Sequence, residues 1–499
     1  MKKVLKNILT SALPQLVNII SNLILPGLII IRFGSEINGL VSTTKTIVSY
    51  ISIVGAGIAA AVTQALYKPV AENSIDEVKG MLHAANNMFV KYGLIYTLVT
   101  VVVAFLYPVF LNTDIRYFTI VLLLLVMSIS GASEFFVTGR CRALLYANQE
   151  VYVSSIIQSI SLLLSLGFAV IMLRTGFNII IVQLSISAVY ILRAGFLLLY
   201  VNLRYPQFRN YNCEPPILRT VEKRNDAMIH QLSGLVVTGS QALILTLICG
   251  LEAASIFSVY SIVFTGLQSI CANLSTSVTP FLGRELALER KQHSMIVYNL
   301  IEYGFFVLVT IIYSATIVLI IPFVSIYTKG ADINYVFKTF SVLYVFTSAF
   351  YVLKMPSTSA TNAAGLFKET RIRAIVEASI CVLVSVPCCV FLGQIGVLIG
   401  TLSALSWRCF DSILFTNKFV LHQKNTISIF RVIRALIIIG GFGVFSYIYH
   451  ISLSGYLNWI KNAFLFVGVA CCVIIIDGIV FELGNIRFLF TTLFKKKEK

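Results

Sequence analysis

The sequence predicts an all-α polytopic membrane protein of about fourteen transmembrane helices, in which two repeated halves are followed by two further helices. The first observation is composition: the chain is 58% hydrophobic and only 12% charged, with a mean hydropathy of +0.89. The second is a series of long apolar spans, and the third is a stretch near the start that returns later in the chain. This much apolar surface cannot be buried in a water-soluble core, so the chain must be solvated by lipid.

The spans follow from the thickness of the bilayer. About 20 apolar residues cross about 30 Å of hydrocarbon, because a helix rises about 1.5 Å per residue. Spans of this kind are predicted at 8–31, 39–66, 83–110, 118–138, 151–173, 178–203, 228–249, 253–282, 298–327, 335–363, 374–392, 397–417, 432–450 and 458–483. The first span is too long for the core of a signal peptide and lacks a clear cleavage site, so it is predicted to be a transmembrane helix.

The repeat appears when the sequence is shifted by 216 residues. The shift aligns Gly34 with Gly250 and Glu36 with Glu252 without a gap. In both copies a long apolar helix is followed by a short turn ending in Gly-x-Glu, and then by another long helix. A shared register of whole elements indicates an internal duplication.

The duplication predicts the domain organisation. Residues 1–210 form a first lobe with spans 1 to 6, and residues 211–420 form a second lobe with spans 7 to 12. Residues 421–499 add two helices and a basic tail. Because each copy has six spans and begins on the same side, the lobes are expected to be parallel repeats around a central cavity.

The distribution of cations predicts the topology. Most of the 38 Lys and Arg residues lie in the two termini and in the alternate connections that begin near 67, 139, 204, 283, 364 and 418. The opposite connections hold few, namely Arg32, Arg116, Arg174, Lys329 and Lys461. By the positive-inside rule, both termini and the basic loops are expected to be cytoplasmic.

The ten cysteines show neither disulfide nor zinc spacing. Cys141 and Cys213 fall in predicted cytoplasmic loops, and the others lie within apolar spans or at their edges. Single Cys141 or Cys213 is therefore expected to react with an impermeant maleimide only when the cytoplasmic face is open.

Two spans carry unusual numbers of polar residues. In span 1, Ser11, Gln15, Asn18 and Asn22 are spaced by four, three and four residues, so they share one helix face. Span 10 carries a hydroxyl-rich group around Pro356, namely Ser357, Thr358, Thr361 and Asn362. These faces should avoid lipid, and they either bond to neighbouring helices or line a polar lumen.

Charged residues far from the span ends are costly in hydrocarbon and usually face a partner or a water-filled cavity. Lys45 and Lys354 are the strongest candidates of this kind, with Arg32 at the outer mouth as a third. The three cations are predicted to converge on the central cavity. Surplus positive charge there would attract an anionic substrate such as a phosphate or pyrophosphate headgroup.

The remaining charges have simpler interpretations. Arg408 and Asp411 lie three residues apart in span 12, close enough to form a structural salt bridge, although Asp411 is also the one deep carboxylate available for ion coupling. The other acids within spans lie near predicted cytoplasmic ends, where they are expected to reach the headgroups, namely Glu134, Glu302, Glu377 and Asp477.

Several segments resemble the multidrug/oligosaccharidyl-lipid/polysaccharide (MOP) exporter superfamily, and within it the polysaccharide flippases. They are RFGSEINGLVS and GAGIAAAVTQALYKPVAE in span 2, and CRALLYANQEVYVSS with its counterpart ATNAAGLFKETRIRA. The resemblance implies a MATE-like fold of two six-helix lobes that alternate in access. It also implies a bacterial cytoplasmic-membrane flippase that moves undecaprenyl-pyrophosphate-linked oligosaccharide for O-antigen, capsule or related polysaccharide. Other polysaccharide assembly proteins are the expected partners.

Two other functions compete with this interpretation. A multidrug and toxin extrusion antiporter is expected to use deep acids, which are nearly absent here. A membrane-embedded glycan polymerase or acyltransferase is expected to show a large outer loop or an intramembrane histidine, and the sequence shows neither. We therefore expect a transporter with no catalytic residues, no metal, no cofactor and no nucleic-acid partner.

Overall fold

The computed structural model describes residues 2–208, 224–288, 291–449 and 455–483, and the regular elements in these ranges are all helical. The α-helices are α1 (Lys2–Phe33), α2 (Ser35–Ser52), α3 (Ala56–Ala71), α4 (Ile75–Leu106), α5 (Tyr117–Ser133), α6 (Gly139–Ala147), α7 (Val151–Arg174), α8 (Ile179–Arg204), α9 (Arg224–Cys249), α10 (Leu251–Ala287), α11 (Lys291–Tyr327), α12 (Lys338–Leu353), α13 (Met355–Ala363), α14 (Phe367–Leu392), α15 (Gln394–Phe415), α16 (Thr426–Ile448) and α17 (Tyr456–Phe481). The predicted all-α class is confirmed.

Every predicted span overlaps one or two of these helices, but the number of long membrane-crossing helices differs from the predicted fourteen. Within the described residues, twelve helices are long and apolar enough to cross a membrane. The two predicted spans outside this set are the second and the tenth, which the structure divides into α2 with α3 and α12 with α13. The chain is a multi-pass membrane protein.

The break in the second span lies at Ile53–Gly55, which forms one 3-10 turn between α2 and α3. A Cβ atom added to Gly55 would lie 2.1 Å from Cε1 of Phe135. The Phe135 ring therefore packs directly on the backbone, and only glycine leaves room for it there.

The break in the tenth span lies at Lys354, between the end of α12 and the start of α13. Pro356 follows within the first turn of α13. Because proline has no backbone N–H, it cannot continue the hydrogen-bond ladder of α12, and the first turn of a new helix is where it is tolerated. The two broken spans are thus the ones that carry Lys45 and Lys354.

The duplication is visible in the backbone of the two Gly-x-Glu turns. Gly34 has a φ of +87° and Gly250 a φ of +89°. Each stands immediately before a helix, α2 in the first copy and α10 in the second. This conformation favours glycine. The aligned glycines therefore form the same turn before a helix in both copies.

The chain divides into two compact units. The first comprises Met1–Ser258 with Gly330–Ile333, and the second comprises Val259–Lys329 with Asn334–Lys499. Fully buried aliphatic residues such as Leu40, Leu123 and Val182 lie in the core of the first unit. The predicted lobe boundaries at 210 and 420 stay predictions.

The two cysteines proposed for labelling need a correction. Cys141 lies on α6 and only 3% of it is exposed, because it packs into the core of the first unit. Cys213 lies outside the described residues. The predicted reaction of Cys141 with an impermeant maleimide is therefore wrong, since the reagent cannot reach a buried thiol.

Candidate functional site

The first unit contains a polar group that we call the Lys45 site, made of Lys45, Asn22 and Asn18. Lys45 is exposed on α2, and its Nζ donates a hydrogen bond to Oδ1 of Asn22 at 2.9 Å. Asn22 Nδ2 in turn lies 3.4 Å from Oδ1 of Asn18. Among the residues that the structure describes, no carboxylate lies within 4 Å of Lys45. The site therefore brings one predicted cation to the predicted polar face of α1, and its charge is not neutralised.

Exposed polar residues extend the site along α1 and α9. Gln15 and Asn18 are exposed on α1, and Gln231 and Thr238 are exposed on α9. Helix α9 lies against α2, because the Tyr50 hydroxyl donates to the carbonyl of Leu235 at 2.9 Å. Helix α2 thus has two neighbours with exposed polar residues, α1 from the first copy of the repeat and α9 from the second.

Arg32 lies at a distance from this site. It is exposed at the end of α1, and its Nη2 lies 3.1 Å from the position of a Cβ added to Gly176, in the α7–α8 connection. It follows Asn22 by ten residues, which is about 15 Å along a helix. Arg32 and Lys45 therefore do not form one compact anion site in this structure.

Lys354 belongs to a network of alternating charges in the second unit. It forms a salt bridge with Glu377, and Arg408 Nε lies 3.3 Å from the second oxygen of Glu377. Arg408 Nη1 also lies 3.2 Å from Oδ2 of Asp411, which forms a further salt bridge with Arg373. The side chains of Lys354, Glu377 and Arg408 are 13%, 9% and 7% exposed. Lys354 is therefore compensated, in contrast to Lys45.

The network corrects the interpretation of Glu377. This residue was expected to reach the headgroups, but it is buried between two cations on neighbouring helices. The expected pairing geometry of Arg408 with Asp411 is present. A role of this pair in ion coupling, as opposed to structure, stays a prediction.

The hydroxyl-rich group of α13 has mixed surroundings. Ser357 and Thr361 are 1% and 6% exposed. The Ser357 hydroxyl lies 2.8 Å from that of Tyr298, and Thr361 donates to the carbonyl of Ser357 at 3.2 Å. These two hydroxyls are buried and hydrogen-bonded inside the unit. The prediction that they line an open polar lumen is therefore wrong. Thr358 is half-buried and Asn362 is exposed, so the lumen assignment stays a prediction for them.

The fold resembles solved membrane transporters. The lipid II flippase MurJ matches with a TM-score of 0.72 at 14% identity, over 95% of this chain and 99% of that one. A multidrug resistance MATE family transporter of the MOP superfamily matches with a TM-score of 0.62 at 14% identity, over 86% and 98% of the two chains. A MOP superfamily transporter from Pyrococcus furiosus gives 0.58 at 13% identity, over 85% and 97%.

The chain has the fold of the MOP superfamily. No protein-family model matches the sequence, and no curated protein matches it. The MOP-fold neighbours are transporters and flippases, and at this level of identity they establish the fold alone.

Helix α10 carries a polar face that was not predicted from the sequence. Thr265, Ser269, Asn273 and Ser277 are all exposed and are spaced by four residues. The spacing of four was the signal that could have found it. Thr276, the neighbour of Ser277, is also exposed.

A second missed feature is a buried charge cluster between α11, α16 and α17. Arg431 pairs with Glu302 at 2.6 Å and with Glu482 at 2.8 Å. Arg434 pairs with Glu482 at 3.0 Å and lies 3.4 Å from Asp477. Glu302 and Asp477 therefore have buried cationic partners, and their expected extension to the headgroups is wrong. The cluster ties the last two helices to α11.

Among the described residues, no group of His, Cys, Asp and Glu is placed to hold a metal ion.

Proposed function

We propose that this protein is a flippase that moves undecaprenyl-pyrophosphate-linked oligosaccharide across a bacterial cytoplasmic membrane for the synthesis of O-antigen, capsule or another surface polysaccharide. It would work by alternating access, with both termini in the cytoplasm and with polysaccharide assembly proteins as partners. The observation that carries the proposal is the uncompensated Lys45 beside two amides on α1. Neither a catalytic group nor a cofactor has a part in this mechanism.

The chemistry of the Lys45 site suits a pyrophosphate with a sugar attached. An ammonium group is a compact point charge that attracts phosphate oxygens from several directions. The attraction is strong where water and salt screen it poorly. Asn22 and Asn18 can donate and accept hydrogen bonds, as sugar hydroxyls require.

Polar faces elsewhere support a hydrated path. Thr265, Ser269 and Asn273 on α10 are exposed within a helix that is long and apolar enough to cross a membrane. A run of exposed polar side chains is better solvated by a water-filled cavity than by lipid tails. We propose that this face borders the route of the glycan, while the prenyl chain stays in lipid.

The fold comparisons favour transport and leave the substrate open. One neighbour is a lipid II flippase and another is a multidrug transporter. A multidrug antiporter acting on cationic compounds is the competing function. An uncompensated lysine on an exposed face opposes it, because like charges repel in a poorly screened site.

Translocation in proteoliposomes tests the proposal. The purified chain is reconstituted with labelled undecaprenyl-pyrophosphate oligosaccharide, and the initial rate of flipping is measured for wild type, Lys45→Ala and Lys45→Arg. Hydrogen bonds to charged groups contribute about 1.5–3 kcal/mol, so Lys45→Ala should slow flipping about tenfold or more. Lys45→Arg should retain most of the rate, because it keeps the charge.

Lys461→Ala is the matched control, since Lys461 is an exposed lysine at the start of α17. It should flip at the wild-type rate. A normal rate for Lys45→Ala would remove the role assigned to this residue. Transport of an organic cation against a proton gradient, without flipping of the lipid, would instead establish the antiporter.

A further inference from the structure

The first unit contains a cavity that the proposed transport site does not use. Its volume is about 190 Å³, and α4, α6 and α8 contribute its walls. Arg140 and Asn202 supply its polar atoms, whereas Leu144, Leu198 and Phe208 belong to its apolar wall. A volume of this size equals about six water molecules of liquid, enough for a small headgroup.

The charge around the cavity is not balanced. Glu134 forms a salt bridge with Arg142 and lies 3.3 Å from Arg193, so this carboxylate already serves two arginines. Arg140 has an amide partner, Oδ1 of Asn86. In the described part of the chain, no carboxylate lies within 4 Å of the Arg140 guanidinium. Half-buried positive charge without a counter-charge makes this a site for an anion.

The position of the cavity indicates the source of the anion. Asn202 lies two residues before the end of α8, and Leu82 lies in the second turn of α4. The cavity therefore lies near the ends of helices that are long and apolar enough to cross a membrane. The ends of such helices are close to the lipid phosphates. Basic pockets between helices at this depth are suited to anionic headgroups. The leucines and Phe208 then fit the glycerol and the first carbons of the acyl chains.

We propose that the Arg140 cavity binds the phosphate headgroup of an anionic phospholipid. The planar guanidinium holds two phosphate oxygens in a bidentate contact, and the Asn202 amide donates to a third oxygen or to the headgroup glycerol. Lipid bound there fixes α6 between α4 and α8. The site is separate from Lys45 and does not depend on the proposed substrate.

Native mass spectrometry of the full-length chain in detergent tests the site, with phosphatidylglycerol or phosphatidylcholine added. Wild type should retain one more phosphatidylglycerol than Arg140→Gln at the same lipid concentration, and the two proteins should not differ with phosphatidylcholine. The affinity for that lipid should fall about tenfold or more, as expected for loss of a charged hydrogen bond. Arg140→Lys should retain part of the binding, because it keeps the charge.

Arg116→Gln is the matched control, because Arg116 is exposed in the connection before α5; it should bind as wild type does. Asn202→Leu keeps the arginine and should weaken binding less than Arg140→Gln, which gives a second measurement if Arg140→Gln folds poorly. Equal binding by wild type, Arg140→Gln and Asn202→Leu would overturn the site. Protection against thermal unfolding by inorganic phosphate or glycerol phosphate, without retention of phosphatidylglycerol, would overturn the lipid assignment.

Discussion

Lys45 and Lys354 resemble each other in the sequence, but the structure compensates their charges differently. Lys45 has an amide partner, Asn22, at 2.9 Å. Lys354 forms a salt bridge with Glu377, which also holds Arg408. An anion can bind Lys45 without displacing a carboxylate, whereas at Lys354 it must compete with Glu377. Lys45 is therefore the better candidate for substrate binding, and the role proposed for Lys354 requires the network to open.

Removing the charge of Glu377 tests how much the network stabilises the second unit. Glu377→Gln leaves Lys354 without its carboxylate and Arg408 with Asp411 alone. Breaking a buried pair by removing one partner costs about 3–5 kcal/mol. We expect a loss of that order in the free energy of unfolding, measured by denaturation in mixed micelles.

The control for this variant lies on the same helix. Glu369 is exposed in the first turn of α14, and Glu369→Gln should change stability little. Adding Lys354→Met to Glu377→Gln should recover part of the loss, because it removes the stranded cation. If Glu377→Gln is as stable as wild type, the network does not stabilise the unit.

The sequence could identify these charged residues but not their partners. Arg408 and Asp411 share one helix, so their spacing predicted the contact that the structure shows. Glu377 meets Lys354 and Arg408 only because α13, α14 and α15 pack together. No local pattern encodes that meeting, which is why depth alone led to the wrong interpretation of Glu377.

At the scale of elements, α2 is fixed by short polar contacts rather than by an apolar seam. Asn38 Nδ2 donates to the hydroxyls of Ser255 and Ser258 at 2.8 and 3.0 Å. The Thr43 and Thr246 hydroxyls lie 2.6 Å apart. Small polar residues let helices approach closely in a membrane. These contacts determine where α2 presents Lys45.

Gly39 is the position where this approach is closest. A Cβ atom there would lie 1.9 Å from the carbonyl oxygen of Leu251, which belongs to the backbone of α10. Gly39→Ala must therefore push the helices apart, and overpacking typically costs about 1–3 kcal/mol. We expect a loss of stability of that order, together with slower flipping.

Gly195→Ala is the same change at a site with no atom within 4 Å. It should leave the protein as stable as wild type or stabilise it by up to about 1 kcal/mol, because alanine is the better helix former. A loss of stability for Gly39→Ala without a loss for Gly195→Ala in one denaturation assay would support the close approach. Equal effects would contradict it.

Asp332 accepts hydrogen bonds from Ser35 at the start of α2. These hydrogen bonds should be sensitive to acid, because the carboxylate can be protonated. Its carboxylate accepts hydrogen bonds from the backbone N–H of Ser35 at 2.9 and 3.1 Å and from the Ser35 hydroxyl. Burial raises the pKa of Asp332, but the hydrogen bonds from Ser35, together with those from the backbone N–H groups of Asp332 and Ile333, outweigh it and leave the pKa below its usual 3.8. The contact thus contributes stability above that ordinary pKa and loses it as the pH falls through the lower folded value.

Asp332→Asn should therefore be less stable than wild type near neutral pH, by about 1 kcal/mol, as for loss of a helix cap. The difference should shrink in acid below the folded pKa. Thermal unfolding of both proteins across this range measures it, with Asp114→Asn as an exposed control in another connection. A difference that does not change with pH would show that Asp332 stabilises α2 without its charge.

Local patterns predicted most elements because apolar length is a local property. In the described residues, each of the fourteen predicted segments lies mainly on helices, and the tenth breaks next to Pro356. The break at Ile53–Gly55 was not predicted, because it depends on where the Phe135 ring packs. The exposed face of α10 was readable from its spacing of four residues and was overlooked.

At the scale of the whole molecule, the duplication supplies the same framework twice with different chemistry. The shift of 216 residues pairs Lys45 with Ser261 and Asn22 with Thr238. One copy thus has a cation and an amide where the other has hydroxyls. Such asymmetry suits a substrate that carries charge at one end and uncharged sugars along the rest, as the proposed lipid-linked oligosaccharide does.

The orientation of this framework in the membrane can be tested with residues that the structure shows to be accessible. Cys141 is buried and cannot report the topology. Glu72 and Asp114 are exposed in successive connections, the first basic and predicted to be cytoplasmic, the second predicted to be external. In a cysteine-free background, Asp114→Cys should react with an impermeant maleimide in intact cells. Glu72→Cys should react only after permeabilisation. Because consecutive spans alternate in direction, the reverse pattern at both positions would invert the whole molecule and place both termini outside. That orientation would contradict the positive-inside rule, since most Lys and Arg residues lie in the termini and in the connections predicted to be cytoplasmic.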